Sequence, residues 1–175
     1  MIHVVMDSST LRDIIEERRT ERFWLTAHPK LTQAIESNER VKVIVVREEV
    51  RGDVLAIATE RLSEWYRGLL GRFVIDMEGV RYNEVRSKVS GMHGKIALTT
   101  IRRFFDLDPE YLEDAKGELD SDAFLLVTAL YCVSGCGRAL VLTSDEKARS
   151  LLNSALDRLR EHPSLGSALE KVSEP

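Results

Sequence analysis

Two cysteines, four prolines and two tryptophans are all that the 175-residue chain holds of those residues. Each scarcity removes a class of protein. Cys132 and Cys136 are too few for a disulfide framework. Their i, i+4 spacing also lacks the further Cys or His that a four-ligand zinc site requires. His3, His28, His93 and His162 are scattered and form no metal spacing. Both cysteines therefore read as core or helix-end thiols. No apolar run approaches the roughly 20 residues that span a bilayer, so no membrane partner is expected. The opening MIHVVMDSS shows no basic region, long apolar run and small-residue cleavage site in sequence. A cytoplasmic protein is the expectation. No Gly-rich phosphate loop of the P-loop or dinucleotide kind occurs, which places a small-molecule-binding domain last among the readings. The net charge of −4 argues against non-specific coating of duplex DNA as the main task.

What is present suits one globular domain with a sizeable core. The chain is organised around residues 120 to 149, DSDAFLLVTALYCVSGCGRALVLTSDEKAR. Phe124 to Val133 is apolar almost all round, which predicts a helix packed on several sides. Ser134, Gly135 and Gly137 mark a turn. Ala139 to Leu142 is a continuous apolar run, the pattern of a parallel strand buried on both faces. Thr143 to Glu146 fits a Thr-x-x-Glu capping box, which would leave Asp145 free to point elsewhere. Ala148, Leu151, Leu152, Ala155, Leu156 and Leu159 then recur at helical spacing.

The remainder reads in the same alternation. His3 to Met6 predicts a strand, followed at once by Asp7 and a helix carrying Leu11, Ile14 and Ile15. Asp7 equally suits a helix N-cap. Arg40 to Val46 is strand-like in its β-branched content. A long helix is expected from near Val45, with Glu48 and Glu49 in its first turns. On that helix Glu49 lies about 60° from Val46, beside the apolar stripe, whereas Glu48 faces water. Residues 72 to 118 are the least informative and read as a helical insertion, with Arg72 to Val85 either a short strand and turn or an irregular helix lead-in. Ser90 to Gly94 reads as a loop, and Lys95 to Phe105 as a short amphipathic helix. Asp108 before Pro109 reads as a helix cap. One domain is expected over residues 1 to 160. Pro163 and Gly166 predict a fraying tail over 161 to 175.

Four acids stand at the ends of apolar elements. Asp7 and Asp145 follow strands, and Glu49 and Asp122 sit in first helical turns. Acids gathered at one sheet edge would raise one another's pKa values unless a cation sat among them. Hard divalent cations take oxygen ligands, and Mg²⁺ commonly meets substrate phosphates.

On these residues the sequence resembles the PIN domain family of metal-dependent nucleases. HVVMDSSTL is similar to that family's first strand and acid, VIVVREEV to its second-acid segment, SDAFLLVTAL to its third-acid helix, and ALVLTSDEKA to its closing strand and acid. The resemblance implies a three-layer α/β/α fold with a central, mainly parallel sheet. It implies a metal-dependent endonuclease in which Asp7, Glu49, Asp122 and Asp145 are the site acids. Asp7, Asp122 and Asp145 would bind Mg²⁺ or Mn²⁺, and Glu49 would assist directly or through water. Ser9 and Ser144 fall where the family places small polar residues, and would contact substrate. Glu48 competes with Glu49, Asp120 competes with Asp122, and Ser144 stands where Asn is common in the family. The implied substrate is RNA, or else single-stranded or structured DNA. An antitoxin protein and a homodimer are further partners the resemblance brings. Arg12, Arg47, Arg51, Arg102, Arg103, Arg138 and Arg149 are candidates for backbone contacts, most of them expected to be solvated surface.

Two rival readings stand beside this one. A catalytically silent scaffold would keep the fold and bind RNA or protein without cleaving. A phosphatase of the haloacid dehalogenase type would use Asp7 as nucleophile. The acid two residues on that such chemistry needs is replaced by Ser9.

Overall fold

The computed structural model describes residues 1–16, 29–37, 39–50, 52–70, 75–106, 121–134 and 137–175. Strand β1 (Ile2–Met6) leads into helix α1 (Ser8–Ile15), then α2 (Pro29–Glu36) and β2 (Val41–Val46). A single 3₁₀ turn (Arg47–Glu49) precedes α3 (Gly52–Leu70) and β3 (Ile75–Val80). Next come α4 (Tyr82–Asp106), α5 (Ser121–Val133), β4 (Arg138–Leu142), α6 (Glu146–Arg160), α7 (Gly166–Leu169) and β5 (Val172–Ser173).

The five strands form one sheet in the order β3-β2-β1-β4-β5, and every pairing is parallel. Apolar residues on both strand faces explain why. Ile2, Val4 and Met6 of β1 face one layer with Leu11, Ile14, Leu31, Ala58 and Leu62 from α1, α2 and α3. Val5 faces the other layer, built from α4, α5, α6 and α7 around Phe124, Leu126, Leu152 and Leu169. A sheet covered on both faces can use near-continuous Val, Ile and Leu. The expected three-layer α/β arrangement is therefore present.

Strand order also fixes where a ligand would sit. The chain moves outward from β1 through β2 to β3, then returns to the far side of β1 as β4. The order reverses between β1 and β4, and the carboxyl ends of those two strands border the crevice where open α/β sheets bind ligands.

Three expectations differ from the structure, and one open alternative is decided. The helix expected from near Val45 begins at Gly52, because β2 runs on to Val46 and the 3₁₀ turn intervenes. The loop expected at Ser90 to Gly94 lies inside α4. A helical glycine costs about 1 kcal/mol relative to alanine. Burying Val85, Val89 and Ile101, at about 1.5–3 kcal/mol for each large apolar side chain, outweighs it. Within the stretch expected as a helical insertion, the short strand is the alternative present, as the edge strand β3, with α4 following it. Asp76, Glu78 and Gly79 disguise that strand, while Lys42 of β2 pairs with Glu78 across the ladder. The expected fraying tail is structured: Leu165, Leu169 and Val172 are buried, and β5 pairs with Ala139 and Leu140 of β4. Asp108 and Asp120 lie outside the described residues.

Candidate functional site

The register of β1 against β4 ends at Met6 opposite Leu142. One step further brings Asp7 opposite Thr143, and the two side chains meet. Asp7 Oδ2 accepts a hydrogen bond from the Thr143 hydroxyl at 2.6 Å. Asp7 Oδ1 accepts from the Thr10 N–H at 2.8 Å. Asp7 is therefore the N-cap of α1, in extended backbone at φ −85° and ψ 169°, and only 6% of it is exposed. The capping role and the position at the switch point coincide in one residue.

Thr143 has a second duty. Its oxygen accepts from the Asp145 N–H at 3.2 Å. Asp145 itself is the N-cap of α6, with Oδ1 accepting from the Ala148 N–H at 2.9 Å. This corrects the expected Thr143–Glu146 capping box. The helix starts two residues later than the box requires, since Thr143 is held by Asp7 and Asp145 takes the cap. Asp145 is not free of local duty, although its side chain is exposed.

Thr10 joins the same network from α1. Its hydroxyl donates to the Leu142 carbonyl at 3.5 Å. It accepts from the Ser144 N–H at 3.0 Å and from the Ser144 hydroxyl at 3.3 Å. One donor and two lone pairs are all a hydroxyl offers, so the fully buried Thr10 is saturated. Arg149 of α6 donates from Nη2 to the Thr143 carbonyl at 3.1 Å. Thr10 and Thr143 thus bind the β1–α1 junction to the β4–α6 junction, and Arg149 braces the latter from within. Sequence reading missed the two threonines as site residues. The available signal was positional: Thr10 is three residues after an N-cap, and Thr143 is one step past a strand in register with Asp7.

The other expected residues are distributed as follows. Ser144 contacts Thr10, as above. The Ser9 hydroxyl oxygen, in the first turn of α1, is buried and has no hydrogen-bond partner. Asp122 is half-buried in the first turn of α5, which packs on the sheet face that Val5 shares. Glu49 ends the 3₁₀ turn after β2, and its side chain lies outside the described residues. Glu48 is exposed, but both its oxygens accept from the Tyr82 N–H, at 3.1 and 3.0 Å. That bond caps α4, so Glu48 does more than face water.

Among the described residues, no group of three or more Asp, Glu, His or Cys converges as an ion-binding cluster. The donors that do gather are carboxylates and hydroxyls. Such oxygen donors match a hard divalent ion, and Mg²⁺ is commonly held by one or two carboxylates with waters and substrate phosphates. Asp7 and Asp145 meet that demand in kind.

Of the candidate arginines, Arg12 and Arg47 are exposed. Arg138 pairs with Glu39 at the start of β4, the opposite edge of the sheet. Arg51 and the side chains of Arg102 and Arg103 lie outside the described residues. Cys132 is buried, and burial, with the charge of Glu78 adding to it, pushes its thiol up to about 12. This is an inert core thiol; Cys136 lies outside the described residues. No described helix is long and apolar enough to cross a membrane. No protein-family model, curated protein or solved structure matches the chain.

Proposed function

We propose that the chain is a Mg²⁺- or Mn²⁺-dependent phosphodiesterase, in the first place an endoribonuclease acting on single-stranded RNA. The observation that carries this reading is the buried Asp7 at the switch point, tied through Thr143 to the backbone N–H of Asp145, the cap of the helix that follows the neighbouring strand. Asp7 and Asp145 would hold the ion, with Asp122 and Glu49 as the further acids that the PIN-like reading assigns. When bound, the ion lowers the pKa of a water and offsets charge on phosphate oxygens. The chain's own part is positional. Thr143 and the Thr10 N–H orient the Asp7 carboxylate. A carboxylate offers about four lone-pair sites, so Asp7 retains two for a ligand. Arg149 donates to the Thr143 carbonyl and braces the backbone that carries the hydroxyl. Ser9 and Ser144 are the small polar residues that the PIN-like reading assigns to substrate. An inhibitory antitoxin and a homodimer belong to the same reading.

A second reading has its own support. Asp7 and Asp145 both serve as helix caps, and no group of three acids gathers among the described residues. A silent scaffold that binds RNA or protein accounts for both facts.

Cleavage of labelled single-stranded RNA and matched DNA separates the two readings. Wild type is compared with Asp7→Asn and Asp145→Asn, in Mn²⁺, in Mg²⁺ and in EDTA. Metal-dependent RNA cleavage lost in both variants is the expected result. Cleavage that survives both substitutions overturns the site. RNA binding without cleavage in any metal supports the scaffold.

A further inference from the structure

One residue past Asp7, a cavity of about 290 Å³ opens between α1 and the start of α3, lined by Ser8, Leu11, Arg12, Ile15, Glu16, Val50 and Val54. Its size matches the small end of ligand sites, which run from roughly 300 to 1,000 Å³. Its lining has the composition of such a site, mostly apolar with a few polar groups. Leu11, Ile15, Val50 and Val54 make the apolar walls. Ser8, Arg12 and Glu16 supply the polar groups. Ser8 and Arg12 lie on one helix, about 6 Å apart along its axis at 1.5 Å per residue. The cavity therefore begins at the carboxylate edge of the sheet and runs away from it along α1, with a cation one helical turn in.

We propose that this cleft is a nucleotide subsite, which seats the base next to the phosphate held at Asp7. The inference rests on the phosphodiesterase reading for its orientation, and on the cleft alone for binding. The flat apolar part of the ligand, the base, lies against Leu11, Ile15, Val50 and Val54. The phosphate on its far side meets the Arg12 guanidinium, which suits phosphate oxygens by its planar donor fork. Glu16 sets the ligand class: a carboxylate beside Arg12 repels a polyphosphate but tolerates one phosphate diester. The ligand is thus a nucleotide unit within a strand, not a nucleoside triphosphate. A protein segment is the poorer occupant, because a stable protein interface covers about 800 Å² per partner, far more than so small a cleft offers.

The test uses the full isotope-labelled chain and the four nucleoside monophosphates, titrated without metal and followed by amide NMR shifts. The expected shifts fall on Leu11, Ile15, Val50 and Val54. Affinity should fall about tenfold in Arg12→Gln, the size of one charged hydrogen bond. Asp7→Asn, whose fold is checked by its own amide spectrum, should retain these shifts. Shifts elsewhere, no shifts, or equal affinity in Arg12→Gln and Val54→Glu overturn the subsite. The cleavage assay keeps the two ideas apart. Wild-type cleavage with unchanged kcat/KM in Arg12→Gln and Val54→Glu overturns the subsite and leaves the nuclease reading standing. Nucleotide binding at the cleft by a chain that cleaves nothing supports the subsite and overturns the nuclease reading. Self-association that Val54→Glu abolishes, without any nucleotide shifts, assigns the cleft to a second copy and overturns the proposal.

Discussion

Asp7 and Asp145 hold the same post in two surroundings. Each follows a parallel strand, each caps the helix that comes next, and each has extended backbone at the cap. Asp7 is buried, and both its oxygens accept bonds from groups that are buried with it. Asp145 is exposed, and water can replace its single capping bond. Equal sequence roles therefore carry unequal energies. What separates them is the cost of an unsatisfied partner. A stranded buried donor costs about 1–3 kcal/mol, whereas a lost surface cap costs about 1 kcal/mol.

The largest predicted effect breaks the buried member. Asp7→Ala loses the cap of α1 and strands the Thr143 hydroxyl, for a loss of about 2–4 kcal/mol. Urea unfolding measures it. A change below about 1 kcal/mol would mean that the Thr143 bond contributes nothing.

Asp145→Ala comes next. It should cost about 1 kcal/mol, or a fall in Tm of about 2–4 °C for a chain of this size. Equal losses in the two alanine variants would erase the contrast between the junctions.

The smallest effect concerns the other end of β1. His3 is partly buried, its Nδ1 has no partner, and burial holds its pKa below 6.5. The neutral ring is the favoured form in the fold. Its stabilising contribution is full above the unfolded value of about 6.5 and is lost as pH falls through 6.5 towards the folded value. His3→Gln should flatten the stability profile just below pH 6.5 and leave it unchanged at pH 8. An identical acid slope in both proteins, in thermal melts across that range, would remove His3 as the cause.

How much of this was legible in the sequence follows from burial. β1, β2 and β4 announced themselves because strands covered on both faces must be apolar throughout. β3 stands at the sheet edge, where Asp76, Glu78 and Gly79 are tolerated, so its pattern was blurred. In α4, glycines punctuated a helix that packing through Val85, Val89 and Ile101 sustains. Asp7 and Asp145 were legible as strand-ending acids. Their partners were not, because Thr143 meets Asp7 across 136 residues and only the β1–β4 register joins them. The capping box failed for the same reason. A local Thr-x-x-Glu pattern competes poorly with a buried carboxylate that claims the threonine first.

Arg160 gives the far edge of the sheet a consequence of its own. β5 is two residues long, too short to hold its place by ladder bonds alone. The Arg160 guanidinium gathers the Leu169 and Val172 carbonyls and the Glu174 carboxylate around it. One side chain thereby pins the strand that shields Ala139 and Leu140. Were that pin withdrawn, β4 would show a bare ladder edge of high β-propensity to its neighbours, a template for strand-by-strand growth between molecules. Arg160 thus keeps the β4 edge covered from a position remote from the Asp7 junction.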